Sequence, residues 1–219
     1  MLELSRASIE GPGFYMHHDM VIFGGTFDPI HHGHLIVALA VAEALACPVT
    51  FMPAGRPPHK PAPEAGIPDR LAMLKLAVEG DELLAISDIE ASRDACFTYD
   101  TVQELRLRGA ARIRWVIGTD MLAYLPHWRR YRELLELVEF VVVARPWRQD
   151  LPAAIESISG ALTRQQLSQL EQNVVAAPLI QISSSEIRRR LHLGLTVRYM
   201  TPPAVVEYIA QRALYTIGR

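Results

Sequence analysis

The run Gly24-Gly25-Thr26-Phe27-Asp28-Pro29-Ile30-His31-His32-Gly33-His34 restricts the possible fold of this chain more than any other feature. It stands between an apolar stretch from Met20 that reads as a strand and a helical stretch from Gly33 to Ala46. A strand that turns through paired glycines into a helix opens a βα unit, and such a turn binds anions. Glycines let the backbone approach an oxyanion closely, and the helix start directs N–H groups and its positive dipole end at the same point. His31 and His34 are three residues apart, so a helix beginning there puts both imidazoles on one face, within reach of one phosphate. Neither has to transfer a proton to do this. The alternative is a plain turn with histidines capping a helix.

After this turn, short apolar strands and helical periodicity alternate. VTFMPA follows the first helix; then come a helix near Arg70 to Glu79, the run LLAISDIE, a helix from Thr98 to Leu107 and the strand Ile113 to Gly118. FVVVARP from Phe140 to Pro146 reads as another strand, Asp150 to Gln172 as helical, and Pro202 to Leu214 as a C-terminal helix. This order predicts an α/β fold of Rossmann-like, doubly wound type, with a mostly parallel sheet and ligands at the carboxyl ends of its strands. Gly55 to Pro68 is too rich in proline for a helix or a central strand and reads as a loop long enough to have a function. Residues 1–19 lack periodicity and read either as a loose leader before a start at Met20 or as an arm packed on the surface. Residues 20–219 then form a single domain, its helical C-terminal part beginning near Ser183.

A chain of 219 residues, 50% hydrophobic and 21% charged, can bury a sizeable core. A formal net charge of −2 gives no global basic field for nucleic acid or an anionic membrane, so any anion affinity is local. The short basic runs Arg129-Arg130 and Arg188-Arg189-Arg190 fit a solvated helix face or a small-phosphate site better than a nucleic-acid surface. No stretch approaches the roughly 20 apolar residues of a membrane span. Cys47 and Cys96 are far apart and suggest neither a disulfide framework nor a thiolate metal site, which points to the reducing cytoplasm. The N-terminal histidines match no zinc spacing. Oligomeric state is not readable, and self-association stays open.

Ile182-Ser183-Ser184-Ser185-Glu186-Ile187-Arg188 is a second constellation. Hydroxyls at a helix start usually cap it. Three hydroxyls, the N–H groups of a helix start and an arginine one turn inside also make a site for a second phosphate group.

These residues resemble the nucleotidylyltransferases with an HxGH signature, and within them the branch that adenylylates nicotinate mononucleotide. The resemblance runs from Met20 to about Tyr215. It rests on GGTFDPIHHGH, PPHK (57–60), FTYDT (97–101), IGTDML (117–122), PHW (126–128), ARP (144–146) and ISSSEIR. It implies transfer of AMP from ATP to nicotinate mononucleotide with release of pyrophosphate, by in-line attack on the α-phosphorus without a covalent enzyme intermediate. It implies catalytic roles for His31, His34 and Arg188. ATP would be bound by Gly24, Gly25, Thr26, Phe27, His31, His34, Gly118, Asp120, Ile182, Ser183, Ser184 and Arg188. The mononucleotide would be bound by Asp28, by Lys60 at its phosphate, by backbone N–H groups around Thr98 and Arg129 at its carboxylate, and by Trp128 under its ring. Mg²⁺ would ride on the ATP phosphates with no protein ligand. A carboxylate after a strand end suits ribose hydroxyls, and Asp120 could equally cap the helix after Gly118; Trp128 could equally be a core tryptophan.

Two positions depart from the family pattern: Ser185 stands where threonine is frequent, and Phe97 where tyrosine is common. Other adenylyltransferases of the superfamily are the nearest rivals. Phosphopantetheine adenylyltransferases are shorter and lack the FTYDT and PHW segments. A nucleotide-binding protein that had lost turnover would be expected to lack at least one of His31, His34, Ser184 and Arg188.

Overall fold

Strand β1 (Asp19–Gly25) alternates its side chains between two cores, Met20 and Ile22 on one face and Val21 on the other. In this computed structural model, which describes residues 19–55, 61–93, 95–144, 150–178 and 180–216, β1 is a central strand. It begins at Asp19, one residue before the expected start, and the Asp19 carboxylate reaches Arg114 (3.3 Å) and Arg112 (3.8 Å) on a neighbouring strand. The earlier residues of the leader lie outside the described part.

The chain continues through α1 (His32–Leu45), β2 (Val49–Pro53), α2 (Ile67–Val78), β3 (Leu84–Ile86), α3 (Thr98–Leu107), β4 (Arg112–Gly118), the short α4 (Thr119–Leu122) and a 3₁₀ turn (Leu125–His127). It then forms α5 (Tyr131–Leu137), β5 (Glu139–Ala144), α6 (Asp150–Ile158), α7 (Arg164–Gln172), β6 (Val174–Ala176), α8 (Ser184–His192) and α9 (Pro203–Gln211). The sheet order is β3-β2-β1-β4-β5-β6, and every pairing is parallel. The strand order reverses between β1 and β4, and a crevice for ligands lies at that switch point.

One face of the sheet is covered by α3 and the helices from α4 to α7, with Ile113, Trp115, Ile117, Phe140 and Val142 pointing into that core. The other is covered by α1, α2 and α9, where Val41, Met73, Leu74, Val205 and Ile209 meet Val21, Phe51, Val116 and Val141. The period-two alternation along β4 and β5 therefore divides their apolar residues between two layers.

Three local expectations change. The proline-rich loop ends at Gly66, not Pro68, because Pro68 sits in the first turn of α2, where an N–H has no helical partner to lose. The helical stretch 150–172 is two helices, because Gly160 interrupts it and Thr163 starts α7 with a capping box to Gln166. Three residues just before the apolar run PLIQI form β6, an edge strand too short for its periodicity to be recognised. Among the described residues, no helix is long and apolar enough to cross a membrane.

Candidate active site

A cavity of about 850 Å³ opens at the carboxyl ends of β1 and β4. Its walls come from the Gly24–His34 turn, the end of β4 with Gly118 and Asp120, Trp128, Pro61 to Pro63 on the proline-rich loop, and Ile182 to Ser185 with Arg188. The two constellations read from the sequence, some 150 residues apart, thus face one space. A smaller hollow of about 410 Å³ at the other end of β4 and β5, lined by Arg106, Arg112 and Glu139, holds none of the candidate residues.

His31 is the N-cap of α1, and its Nδ1 accepts a hydrogen bond from the His34 N–H at 3.3 Å. With Nδ1 accepting, the ring hydrogen belongs on Nε2, which makes His31 a donor while neutral. Burial, reinforced by neighbouring His32, lowers its pKa from 6.5 to about 4. The two imidazoles stack, with centroids 3.7 Å apart. Phe27 closes the other side of His34 edge-on at 5.0 Å, and it does so from a left-handed backbone (φ 50°) that a bulky residue seldom adopts.

Packing leaves no room for larger residues at the glycines of the turn. A Cβ at Gly24 would lie 2.7 Å from Cζ2 of Trp115, and one at Gly25 2.7 Å from the Phe27 ring. Gly118 precedes α4, and Asp120 lies in its first turn on the cavity wall, where a Cβ at Gly118 would meet its carboxylate at 2.5 Å. Trp128 is half-buried, with one edge on Phe140 (6.0 Å) and part of its surface in the cavity.

Ser183 caps α8 by accepting from the Glu186 N–H (3.2 Å), while the Ser184 hydroxyl donates to the Pro29 carbonyl (2.9 Å) and fastens α8 to the first turn. Arg188 donates through Nη1 to the Asp28 carbonyl (2.6 Å) and through Nε to Glu64 (2.7 Å). Glu64 also lies 3.0 Å from Nε2 of His192.

Some candidates are placed differently from expectation. Asp28 is 3% exposed, and its carboxylate accepts from Glu64 N–H (2.8 Å), Ala65 N–H (3.1 Å) and the Tyr215 hydroxyl (2.7 Å). Much of its acceptor capacity is directed into the protein, while the residue itself forms part of the cavity wall. Thr98 and Arg129 do not line the cavity. Arg129 instead pairs with Asp100 (2.8 Å) and lies over the Phe97 ring (5.0 Å), joining the start of α3 to the segment that carries Trp128. Lys60 lies outside the described residues.

Sequence reasoning missed Arg70, whose side chain is wholly buried. It donates to the carbonyls of Thr26 (2.7 Å), Ala54 (2.8 Å), Gly55 (3.0 Å) and Ala65 (3.2 Å), holding both loops that flank the cavity. Burial lowers its pKa, and the Asp28 charge opposes that shift. A signal was present: Arg70 shares a helix face with Met73 and Leu74, three and four residues on, so a cation stands where the periodicity calls for an apolar residue. Thr101 of the FTYDT motif is likewise structural, its hydroxyl donating to buried Glu90 (2.5 Å).

Residues 22–190 match the cytidylyltransferase-like family. A protein of Thermomicrobium roseum named probable nicotinate-nucleotide adenylyltransferase is 44% identical over 199 residues, covering 89% of this chain and 90% of its own length. One of the same name from Geobacillus kaustophilus is 40% identical, covering 89% and 84%. Among solved structures, the nicotinic acid mononucleotide adenylyltransferase of Plasmodium falciparum, complexed with NaAD, superposes with a TM-score of 0.69 at 19% identity, covering 91% of this chain and 98% of that one; at that identity the likeness bears on the fold.

Proposed function

The chain belongs to the cytidylyltransferase-like family and, within it, to the nicotinate-nucleotide adenylyltransferases, and from that membership we infer that it transfers AMP from ATP to nicotinate mononucleotide in NAD biosynthesis. In this reading a phosphate oxygen of the mononucleotide attacks the α-phosphorus in line. The bond from that phosphorus to the bridging oxygen breaks, and pyrophosphate leaves with its electron pair. Such a transfer depends on positioning and charge neutralisation more than on a strong base.

What supports the assignment of roles is the convergence of His31, His34, Gly118, Asp120, Ser183, Ser184, Arg188 and Trp128 on one cavity, whose volume of about 850 Å³ is within the usual range for small-ligand sites. His31 and His34, with the start of α1 and the backbone from Gly24 to Phe27, hold the phosphates at the reacting end. The start of α8, with Ser183, Ser184 and Arg188, receives the departing pyrophosphate. To do so Arg188 exchanges Glu64 for phosphate oxygens. Gly118 and Asp120 take the adenosine ribose, and Trp128 lies under the pyridine ring. Lys60 is assigned the mononucleotide phosphate. Among the described residues no three His, Cys, Asp or Glu side chains gather as a metal-holding cluster, and Asp28 is committed to protein donors. A divalent cation, Mg²⁺ in this proposal, would be carried by phosphate oxygens and would neutralise charge on the leaving group.

The test is pyrophosphate release with ATP and Mg²⁺ against nicotinate mononucleotide, nicotinamide mononucleotide and phosphopantetheine in parallel. The expected result is a strong preference for the first. Preference for either of the others would move the assignment within the superfamily, and a folded, ATP-binding protein silent with all three would overturn the enzymatic reading. With the preferred acceptor, His34→Ala should lower kcat by orders of magnitude while circular dichroism is unchanged; near-normal turnover would remove His34 from the site.

A further inference from the structure

Asp28 lies in the turn that this reading assigns to phosphate and on the cavity wall, yet both of its carboxylate oxygens accept bonds from protein donors. Oδ2 accepts from Glu64 N–H, and Oδ1 accepts from Ala65 N–H and from the Tyr215 hydroxyl at 2.7 Å. Its backbone carbonyl meanwhile accepts from Nη1 of Arg188 at 2.6 Å, and Nη1 is 3.8 Å from Oδ2. The second group that locates the guanidinium is the side chain of Glu64, whose backbone N–H is itself bonded to Asp28. Once phosphate takes the place of Glu64, the contact left to locate Arg188 is the Asp28 carbonyl, so the placing of Asp28 decides where the guanidinium points.

Tyr215 is the farthest contributor in sequence, 187 residues from Asp28. It is buried, it packs in the core formed with α2 and α9, and it holds a left-handed backbone (φ 57°) that brings its hydroxyl to this point. Strain of that kind persists only where surrounding contacts require it. Burial, with the Asp28 bond, pushes its phenol pKa up, so the hydroxyl remains a donor.

We propose that Asp28 and Tyr215 are positioning residues for Arg188: the buried phenol fixes Asp28, and the Asp28 carbonyl aims the guanidinium at the departing pyrophosphate. The proposal rests on the assignment of Arg188 to the polyphosphate. In this role both act through Arg188. Removing the hydroxyl leaves a buried carboxylate one donor short, and the Asp28 segment shifts to find another. A displacement of about 1 Å in a positioning group can cost up to roughly a hundredfold in rate, and a partial shift correspondingly less.

The experiment is a double-mutant cycle in steady-state kinetics on the full chain, with Tyr215→Phe, Arg188→Ala and the pair, each checked for folding by circular dichroism. We expect Tyr215→Phe to lower kcat/KM for ATP about tenfold while leaving KM for the mononucleotide within about twofold. In the Arg188→Ala background the same change should cost less than about twofold, because the group being positioned is gone. Equal losses in both backgrounds would mean a general structural role and overturn the proposal, as would wild-type kinetics for Tyr215→Phe. If Arg188→Ala alone leaves kcat/KM for ATP intact, the assignment of Arg188 fails first and takes the proposal with it. Should Tyr215→Phe not fold, Asp28→Asn acts on the same chain of contacts, and an Arg188-independent loss there would be equally decisive.

Discussion

His31 is neutral near pH 7 because burial lowers its pKa from 6.5 to about 4, and as a neutral donor it places no additional charge in the turn. The same shift links folding to pH. Between pH 4 and 6.5 the unfolded chain takes up a proton that the folded chain refuses, so stability rises with pH across that window and is lost as acid is added. The shift corresponds to on the order of 3 kcal/mol. We expect the thermal midpoint to fall between pH 7 and pH 4.5, and to fall less in His31→Asn, which keeps a capping acceptor but does not titrate. Parallel slopes for the two proteins in melts across this range would contradict the assignment. At this scale the sequence was readable where chemistry repeats a spacing, as at His31 and His34. It was not readable where a side chain's surroundings depend on what folds over it: nothing near Asp28 in the chain announces that the distant Tyr215 and the backbone of Glu64 and Ala65 donate to its carboxylate.

Helix α8 and the end of the proline-rich loop meet through Glu64, which accepts from Arg188 and lies beside His192. Such a half-exposed pair is worth about 0.2–1 kcal/mol. In the proposed function the triphosphate takes the place of Glu64 on Arg188, and on that reading Glu64→Gln should lower KM for ATP by up to about fivefold; a raised KM would mean that Glu64 helps to seat ATP instead of competing with it. Strands β1 and β4 meet through Gly24 and Trp115, with no room for a methyl group between them. Gly24→Ala is expected to cost about 1–3 kcal/mol in chemical denaturation, partly recovered by Trp115→Phe in the same chain. Long elements with clear periodicity, such as α1, α3 and β4, were legible to within a residue or two. The break near Gly160 and the three-residue β6 were not, since one is set by a cap and the other by an open sheet edge.

At the scale of the whole molecule, the described residues form one sheet with a core on each side, and the C-terminal helix belongs to one of those cores: Val205 and Ile209 of α9 are buried with Val21, Phe51 and Met73. We therefore expect one cooperative transition in calorimetry, and a chain ending before Pro203 should fail to fold; two resolved transitions would show that the C-terminal part is a separate unit. The doubly wound architecture was legible because strand and helix periods alternate along the chain and because a glycine-rich turn marks the first crossover. The convergence of residues near 30 and near 185 was legible only through the family resemblance, since periodicity says nothing about which distant segments meet.

The carbonyls of Pro29 and Ile30 and the carboxylate of Asp28 accept bonds from Ser184, Thr201 and Tyr215, residues that lie 155, 171 and 187 positions further along. During synthesis this turn is therefore among the first parts of the sheet to leave the ribosome and among the last to be completed. A nascent chain can stack its early strands while its phosphate turn still lacks every one of these braces, and a premature stop between codons 177 and 184 would release a polypeptide with the six described strand sequences and none of the three.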